Sequence, residues 1–158
     1  MPATARRTPT VALDDVAKGI IEQLQIDGRR TYADIGKAVG LSEAATRQRV
    51  QKLVDHGVMQ VVAVTDPMQL GFARQAMIGV KASGDTRRVA DALSGLPGVS
   101  YVVLTAGSYD LLVEVVCESD DDLIVLLNDR IRTLDGVVST ETFVYLKLHK
   151  QHYNWGTR

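Results

Sequence analysis

The chain has 158 residues, of which 46% are hydrophobic and 23% charged, and this composition indicates one medium folded domain or two small ones. The single cysteine, Cys117, excludes an intrachain disulfide, and no apolar run approaches the ~18 residues of a membrane helix. A cytoplasmic protein without a membrane partner is therefore expected. The formal net charge of −1 argues weakly against nucleic-acid binding, unless positive charge is concentrated in one place.

Residues 1–11 are predicted to form a flexible arm, because they contain Arg6 and Arg7 but lack the apolar stretch of a signal peptide. Residues 12–64 then predict three helices. The spacing of Val16, Ile20, Ile21 and Leu24 marks one buried helical face. A short second helix is expected over 32–39 and a third helix over 43–56.

A glycine-containing turn, Gly40-Leu41-Ser42, separates the second predicted helix from the third, and Ser42 is a good N-cap for the third. Two helices joined in this way are typical of a helix-turn-helix. Gly36, inside the second helix, predicts a close approach of two helices. Val54 is expected to face inward with Val50 and Leu53. Residues 58–64 predict a strand that serves as a wing, and residues 65–73 a linker.

The second half contains an internal repeat, since Leu96-Pro97-Gly98-Val99 is echoed by Leu134-Asp135-Gly136-Val137. Each copy lies between a predicted helix and a predicted strand. The first unit reads as strand 75–82, helix 86–95 and strand 99–106, and the second as strand 111–118, helix 120–133 and strand 137–148. Two such units predict a ferredoxin-like βαββαβ domain over 74–148, followed by a tail over 149–158. The whole chain is thus predicted to be α+β.

The predicted strands are apolar at both alternating positions, as in Tyr101-Val102-Val103-Leu104. Both helices of a ferredoxin-like domain cover the same face of its sheet. The other face therefore needs a cover, and a second subunit is expected to supply it.

The third helix is the candidate recognition helix, whose first turns are expected to enter the major groove of double-stranded DNA. Between residues 43 and 54 it carries three cations, Arg47, Arg49 and Lys52, and only one acid, Glu43, which gives a local excess of positive charge. Arg47 can bind guanine and Gln48 adenine, while Arg49 and Lys52 suit phosphate contacts, as do Thr31 and Tyr32 before the second helix. The full candidate set is Thr31, Tyr32, Ser42, Glu43, Ala44, Arg47, Gln48, Arg49, Gln51 and Lys52.

The order of these motifs resembles the Lrp/AsnC (feast/famine) family of transcription regulators over about residues 13–148. The resemblance implies a winged helix-turn-helix, an effector domain of ferredoxin-like topology, and dimers that assemble into tetramers or octamers. Ala17 and Thr46 depart from the family pattern, which has an acid and an apolar residue there. The motifs on which the resemblance to the family rests are Leu13-Asp14, Asp27-Gly28-Arg29, Val39-Gly40-Leu41-Ser42, Asp66-Pro67, Leu70-Gly71, Gly107-Ser108-Tyr109-Asp110 and the repeat described above.

The same resemblance implies that an amino acid or related small molecule binds at the loop of Gly107, Ser108, Tyr109 and Asp110. Backbone amides in this loop can bind the carboxylate of the ligand, and Asp110 can bind its ammonium group. The ring of Tyr109 can pack against the side chain of the ligand. Thr140 and Thr142 on the last strand are further candidates. The alternative is that this loop is only a tight turn between strands.

Two other functions remain open from the sequence. One is an enzyme similar to the sirohaem decarboxylases, which look similar to this family, although no histidine lies in the effector loop. The other is a ligand-binding assembly module without DNA activity. Cys117 is expected to be a buried apolar residue, and His149 and His152 lack a third metal ligand nearby. No enzyme activity, metal or cofactor is therefore expected.

Overall fold

The computed structural model describes residues 13–158, so the predicted arm over 1–11 lies outside the described residues. The described chain folds as two units. One comprises Thr65–His149, and the other joins residues 13–64 with Lys150–Arg158. None of the helices in the described range is both long enough and apolar enough to cross a membrane.

Three helices build the first unit. Each begins at a side chain that accepts a hydrogen bond from a backbone amide three residues later, which satisfies an amide that has no partner within the helix. These capping residues are Asp14, Thr31 and Ser42. The helices are α1 (Asp15–Ile26), α2 (Tyr32–Val39) and α3 (Glu43–Asp55).

The core between these helices is small and apolar, and Ile20, Ile35, Val50 and Leu53 are buried in it. The inward position predicted for Val54 is wrong, because its side chain is 37% exposed. α3 instead turns Thr46 toward the core, and its successive inward positions follow the helical period.

Gly36 lies where α2 meets the turn that leads into α3. A Cβ at this position would lie 2.5 Å from the carbonyl oxygen of Leu41 and 2.9 Å from Oγ1 of Thr46. Both distances are too short for a real contact, so only glycine fits. The predicted close approach of the two helices at Gly36 is confirmed.

The strand predicted over residues 58–64 is absent, since this segment belongs to no sheet of the described chain. Its β-branched residues are typical of a strand, yet Val61, Val62 and Val64 remain exposed. A strand needs a neighbour to pair its amides and carbonyls. No segment of the described chain lies beside this one as a second strand.

The second unit is a four-stranded sheet with two helices. The strand order is β2-β3-β1-β4, and every neighbouring pair is antiparallel, which confirms the predicted ferredoxin-like arrangement. After a short 3-10 turn (Pro67–Leu70), its elements are β1 (Arg74–Ala82), α4 (Thr86–Ser94), β2 (Val99–Leu104), β3 (Leu111–Cys117), α5 (Asp120–Val125) and β4 (Val137–Val144).

Several elements are shorter than predicted. The helix expected over 120–133 is α5 followed by a π-helical turn (Leu126–Ile131), in which the amide of Arg132 donates to the carbonyl of Leu127 at 2.9 Å. β4 ends at Val144 rather than at residue 148, because its partner β1 begins at Arg74 and leaves little strand to pair with.

One face of the sheet carries the core. Ala76, Ile78 and Val80 of β1 are fully buried there against α4 and α5. The edge strands each contain one extra residue, Ser100 in β2 and Val138 in β4, where the register of the ladder shifts. The other side, which we call the open face, is not covered by α4 or α5, because both of these helices pack against the core face.

Candidate functional site

α3 presents a polar surface along one side. Its buried side contains Thr46, Val50 and Leu53, and the hydroxyl of Thr46 donates to the carbonyl of Ser42 at 2.9 Å. The departure at Thr46 therefore leaves the packing intact, because its polar atom is satisfied within the helix. Seven of the predicted DNA-contacting residues are exposed on or before this helix: Ser42, Glu43, Ala44, Arg47, Gln48, Gln51 and Lys52.

Arg47 is held by two neighbours. Its guanidinium carbon lies 5.1 Å from the centroid of the Tyr32 ring, and Nη2 lies 3.3 Å from Oε1 of Glu43. A cation above an aromatic face is attracted by the ring. The arrangement orders a long exposed side chain at the start of α3 and links α2 with α3.

Arg49 is engaged in a way that the sequence did not predict. Its Nη1 donates to both carboxylate oxygens of Asp14, at 2.6 and 2.9 Å, and so ties α3 to the cap of α1. This hydrogen bond, together with that from the amide of Ala17, lowers the pKa of Asp14 below its usual value. The amide of Ala17 satisfies the cap, so an alanine at this position does not loosen it.

Thr31 is also engaged within the protein. Its hydroxyl donates to Oδ2 of Asp34 at 2.7 Å, and its oxygen accepts the amide of Asp34 at 3.1 Å. The hydroxyl bond, followed by the ammonium of Lys37, lowers the pKa of Asp34. Thr31 therefore has a structural role at the start of α2, whatever contact it makes in addition.

Cations that the sequence reasoning left out lie beside α2. An open groove of about 750 Å³ runs along this helix, and Arg29, Arg30 and Lys37 line it together with Thr31. The signal was available, because Arg29 and Arg30 directly precede Thr31 and Tyr32 in the sequence. The lining also contains Asp27 and Asp34, so the three cations leave a small excess of positive charge beside α2.

The predicted effector loop lies against the open face of the sheet. A Cβ at Gly79 would lie only 2.7 Å from ring atoms of Tyr109, so the absence of a side chain lets this ring rest on β1. The edge of the Phe143 ring meets Tyr109 at a centroid distance of 6.3 Å. Tyr109 thus forms an aromatic wall on the open face.

Asp110 holds the loop to β1. Its Oδ2 accepts the amide of Ala82 at 2.8 Å, next to the bulge between β1 and β4, while its own amide donates to the carbonyl of Val80. Within the described residues, no hydrogen bond uses Oδ1 of Asp110 or the amides of Gly107 and Ser108. The loop therefore combines a structural carboxylate oxygen with donors and an acceptor that remain available.

Thr140 and Thr142 are not brought to this loop. In β4 they pair with Val80 and Ile78, whose side chains face the helices, and Oγ1 of Thr140 accepts a hydrogen bond from Nε of Arg132. Tyr109 lies on the opposite side of the sheet. The residue of β4 that meets Tyr109 is Phe143.

A polar cluster in the middle of the open face was also missed. Glu114 accepts hydrogen bonds from Nε2 of Gln75 at 3.1 Å, from the hydroxyl of Tyr145 at 3.0 Å and from Oγ of Ser100 at 3.4 Å. Burial and the bond to Glu114 raise the pKa of Tyr145 to about 12. Sequence alone could not group these residues, which come from four different strands or strand ends.

The remaining reactive side chains do not form a site. Cys117 is a buried residue of the core, as predicted, and burial raises the pKa of its thiol. His149 and His152 are exposed. In residues 13–158 there is no group of three or more side chains that could hold a metal ion.

The two halves of the chain match two family models in the order that the fold presents them. Residues 13–54 match the AsnC-type helix-turn-helix domain, and residues 75–155 match the Lrp/AsnC ligand-binding domain. The chain belongs to the Lrp/AsnC family. Its helix-turn-helix is α2 and α3, and its ligand-binding domain contains the sheet and the Tyr109 loop.

Relatives of this Lrp/AsnC protein agree along nearly their full length. It is 36% identical to the HTH-type transcriptional regulator FL11 of Pyrococcus horikoshii, over 89% of this chain and 94% of that protein. The structure of AsnC from Escherichia coli is similar with a TM-score of 0.76 and 29% identity, covering 90% of this chain and 98% of that one.

A third relative supports only that the fold is shared, because its sequence identity to this chain is low. The transcriptional regulator NMB0573 of Neisseria meningitidis, in complex with L-Met, has a TM-score of 0.76 at 23% identity and covers 90% of this chain and 95% of that one. FL11 and AsnC are both named as regulators, in agreement with the prediction that this Lrp/AsnC protein is not an enzyme.

Proposed function

We propose that this chain is a cytoplasmic, sequence-specific transcription regulator whose DNA binding or assembly responds to a small amino-acid-like effector. The observation that carries the proposal is the surface of α3, where Arg47 is ordered by Tyr32 and Glu43 at the start of an exposed polar face. An ordered arginine at the first turns of a recognition helix suits bidentate contact with guanine.

The two kinds of DNA contact separate along α3. Arg47 and Gln48 lie in its first two turns and are proposed to read bases, whereas Lys52 lies further along and is proposed to contact phosphate. Arg49 reaches phosphate only if it exchanges its ion pair with Asp14 for one with DNA. Arg29, Arg30 and Lys37 extend the proposed phosphate-contacting surface along the groove beside α2.

The DNA proposal is tested by selecting bound sequences from a random pool and measuring the affinity of variants for the selected site. Arg47→Ala should lose about 1–3 kcal/mol at one base position and relax the preference there, while Lys52→Ala should weaken all sequences alike and lower the salt slope by about one. Arg87→Ala, an exposed arginine on α4, is the matched control. Unchanged affinity in both α3 variants would reject the recognition surface.

The proposed effector site is the loop Gly107–Asp110 against the open face. Its unused amides suit a carboxylate, Oδ1 of Asp110 suits an ammonium group, and the rings of Tyr109 and Phe143 suit an apolar side chain. Thr140 and Thr142 are left out of this site because they face the helices.

The effector proposal is tested by thermal shift with the proteinogenic amino acids, starting with L-methionine, and by calorimetry of the best ligand. Asp110→Asn is the informative variant, because an amide oxygen can still accept from Ala82 while the negative charge is gone. A lost charged hydrogen bond of about 1.5–3 kcal/mol weakens binding roughly tenfold to a hundredfold. Glu118→Gln, an exposed acid beyond β3, should bind like the unaltered protein. Full-strength binding by Asp110→Asn would place the pocket elsewhere.

We also propose that the open face is covered by a second copy of the chain, giving dimers that assemble further. Met77, Val103, Leu112 and Val116 form an apolar field on this face around the Glu114 cluster. Leu112→Glu should shift the sedimentation coefficient of the full chain to that of a smaller species. Ala92→Glu, an exposed position on α4, is the control, and an unchanged assembly in Leu112→Glu would exclude this face.

A further inference from the structure

The last nine residues return to the DNA-binding unit. β4 ends the sheet at Val144, yet Lys150–Arg158 pack with the helices of the first unit. We call this segment the C-terminal strap. Within residues 13–158 the chain therefore passes between the two units twice, once through the linker after Val64 and once through the residues that precede Lys150.

The strap is attached to one side of α1. The amide of Gly156 donates to Oε1 of Gln25 at 3.1 Å, and the hydroxyl of Thr157 donates to Oε1 of Glu22. The two acceptors are three residues apart and so lie on the same side of the helix. Gly156 and Thr157 are half-buried, whereas Leu146, before the strap, is 96% exposed.

α1 in turn holds the recognition helix. Asp14 at its cap pairs with Arg49 of α3, and Ile20 and Ile21 share a core with Val50 and Leu53. A displacement of α1 therefore reaches α3 through an ion pair and through packed side chains. Packed interfaces shift as units rather than deform continuously. A force that displaces α1 therefore also displaces the exposed polar side of α3.

We infer that the C-terminal strap is a second tether that restrains the DNA-binding unit from the end of β4, and that it narrows the range of half-site spacings that an assembled regulator accepts. The tether itself does not depend on the proposed function, whereas the effect on spacing rests on it. Two recognition helices read two half-sites only when their separation fits the DNA, so any restraint on their positions selects a spacing.

Trp155 allows the tether to be observed without DNA. It is the only tryptophan of the chain and is 77% exposed, so its fluorescence anisotropy reports the mobility of the strap better than quenching does. In the full chain, the double variant Glu22→Ala with Gln25→Ala should lower the anisotropy toward that of a free peptide. Glu22→Gln alone keeps an acceptor for Thr157 and should retain the anisotropy, as should His152→Ala in the exposed part of the strap.

The effect on DNA is measured with a series of duplexes in which two copies of the selected half-site are separated by different spacers. The double variant should keep its affinity for a single half-site, while its preference for the best spacing over the others should fall by at least about fivefold, the lower end of typical couplings. His152→Ala should behave as the unaltered protein does. A chain that ends at His149 provides a second variant that does not alter α1.

The outcomes distinguish the two proposals. Anisotropy that stays high in the double variant overturns the tether. Lowered anisotropy with an unchanged spacing preference overturns the restraint on the DNA-binding unit. If the unaltered protein selects no DNA from the pool, the proposed function fails, while the anisotropy still decides whether the strap is attached to α1.

Discussion

Arg47 lies with its guanidinium carbon 5.1 Å from the ring centroid of Tyr32, so the start of α2 orders the side chain proposed to read DNA from α3. An exposed cation–π contact is worth about 0.5–1 kcal/mol, and an arginine that is already ordered has less freedom to lose on binding.

Replacing the ring of Tyr32 tests this relationship. Tyr32→Leu should weaken binding to the selected DNA site by a few-fold, up to about 1 kcal/mol, because Arg47 loses its platform. Tyr32→Phe keeps the ring and should bind as the unaltered protein does in a gel-shift titration. Equal losses in both variants would instead assign the hydroxyl to a phosphate contact.

The pair of Asp14 and Arg49 predicts a pH-dependent stability. Because the folded pKa of Asp14 lies below the usual 3.8, its contribution is present above that pH and disappears as the pH falls through the folded pKa. Asp14→Asn keeps an acceptor for the amide of Ala17 but loses the ion pair. It should melt at a lower temperature than the unaltered protein near neutral pH, and the difference should close well below pH 3.8. A difference that is constant across this range would show that the ion pair contributes nothing.

The same variant reports on the second role suggested for Arg49. If this side chain leaves Asp14 to bind phosphate, Asp14→Asn removes the competing partner, and DNA affinity should rise while the thermal stability falls. Arg49→Ala should lower both. Affinity that follows stability in both variants would confine Arg49 to a structural role.

Gly36→Ala should destabilise the first unit. Alanine is favoured over glycine within a helix by ~1 kcal/mol, but its Cβ would meet the backbone oxygen of Leu41 at 2.5 Å, and overpacking of this kind costs ~1–3 kcal/mol. A net loss of up to about 2 kcal/mol is expected in urea unfolding. Gly19→Ala on α1 is the matched control, since the nearest atom there is a methyl group of Val39 and the expected change is close to zero. Greater stability in Gly36→Ala would refute the close approach.

Tyr145 predicts a loss of stability at alkaline pH. Its folded pKa of about 12 lies above the usual 10.0, so its contribution is complete below pH 10 and is lost as the pH rises through the folded value. Tyr145→Phe should therefore lose less stability than the unaltered protein between these pH values, as measured by chemical unfolding. Tyr101→Phe, at an exposed tyrosine of β2, should follow the unaltered protein. An ultraviolet titration of Tyr145 with an ordinary midpoint would contradict the expectation.

The elements of the fold were largely predictable because they follow from local rules. The cap at Ser42, the spacing of buried residues in α1 and the repeat before β2 and β4 each indicate a boundary within a few residues. The segment over 58–64 shows the limit of this reasoning. Its composition favours a strand, but a strand also depends on a partner, which local composition does not reveal.

The candidate site was less predictable because side-chain direction depends on register. In β4, the extra residue Val138 breaks the alternation, so that Val137 and Thr140 both face the helices while Phe143 faces Tyr109. A bulge leaves no clear mark in the sequence. The pair of Asp14 and Arg49 is 35 residues apart, and no periodic pattern connects them.

The bulges at Ser100 and Val138 lie in the two outermost strands of the sheet. An outer strand normally presents an unbroken row of free amides and carbonyls, on which a further strand from another molecule can build. A bulge bends that row and interrupts its spacing, so the rim becomes a poor template for endless stacking. The bulges therefore work against edge-to-edge association of copies into fibrils, which favours a closed oligomer if copies associate through the open face as proposed.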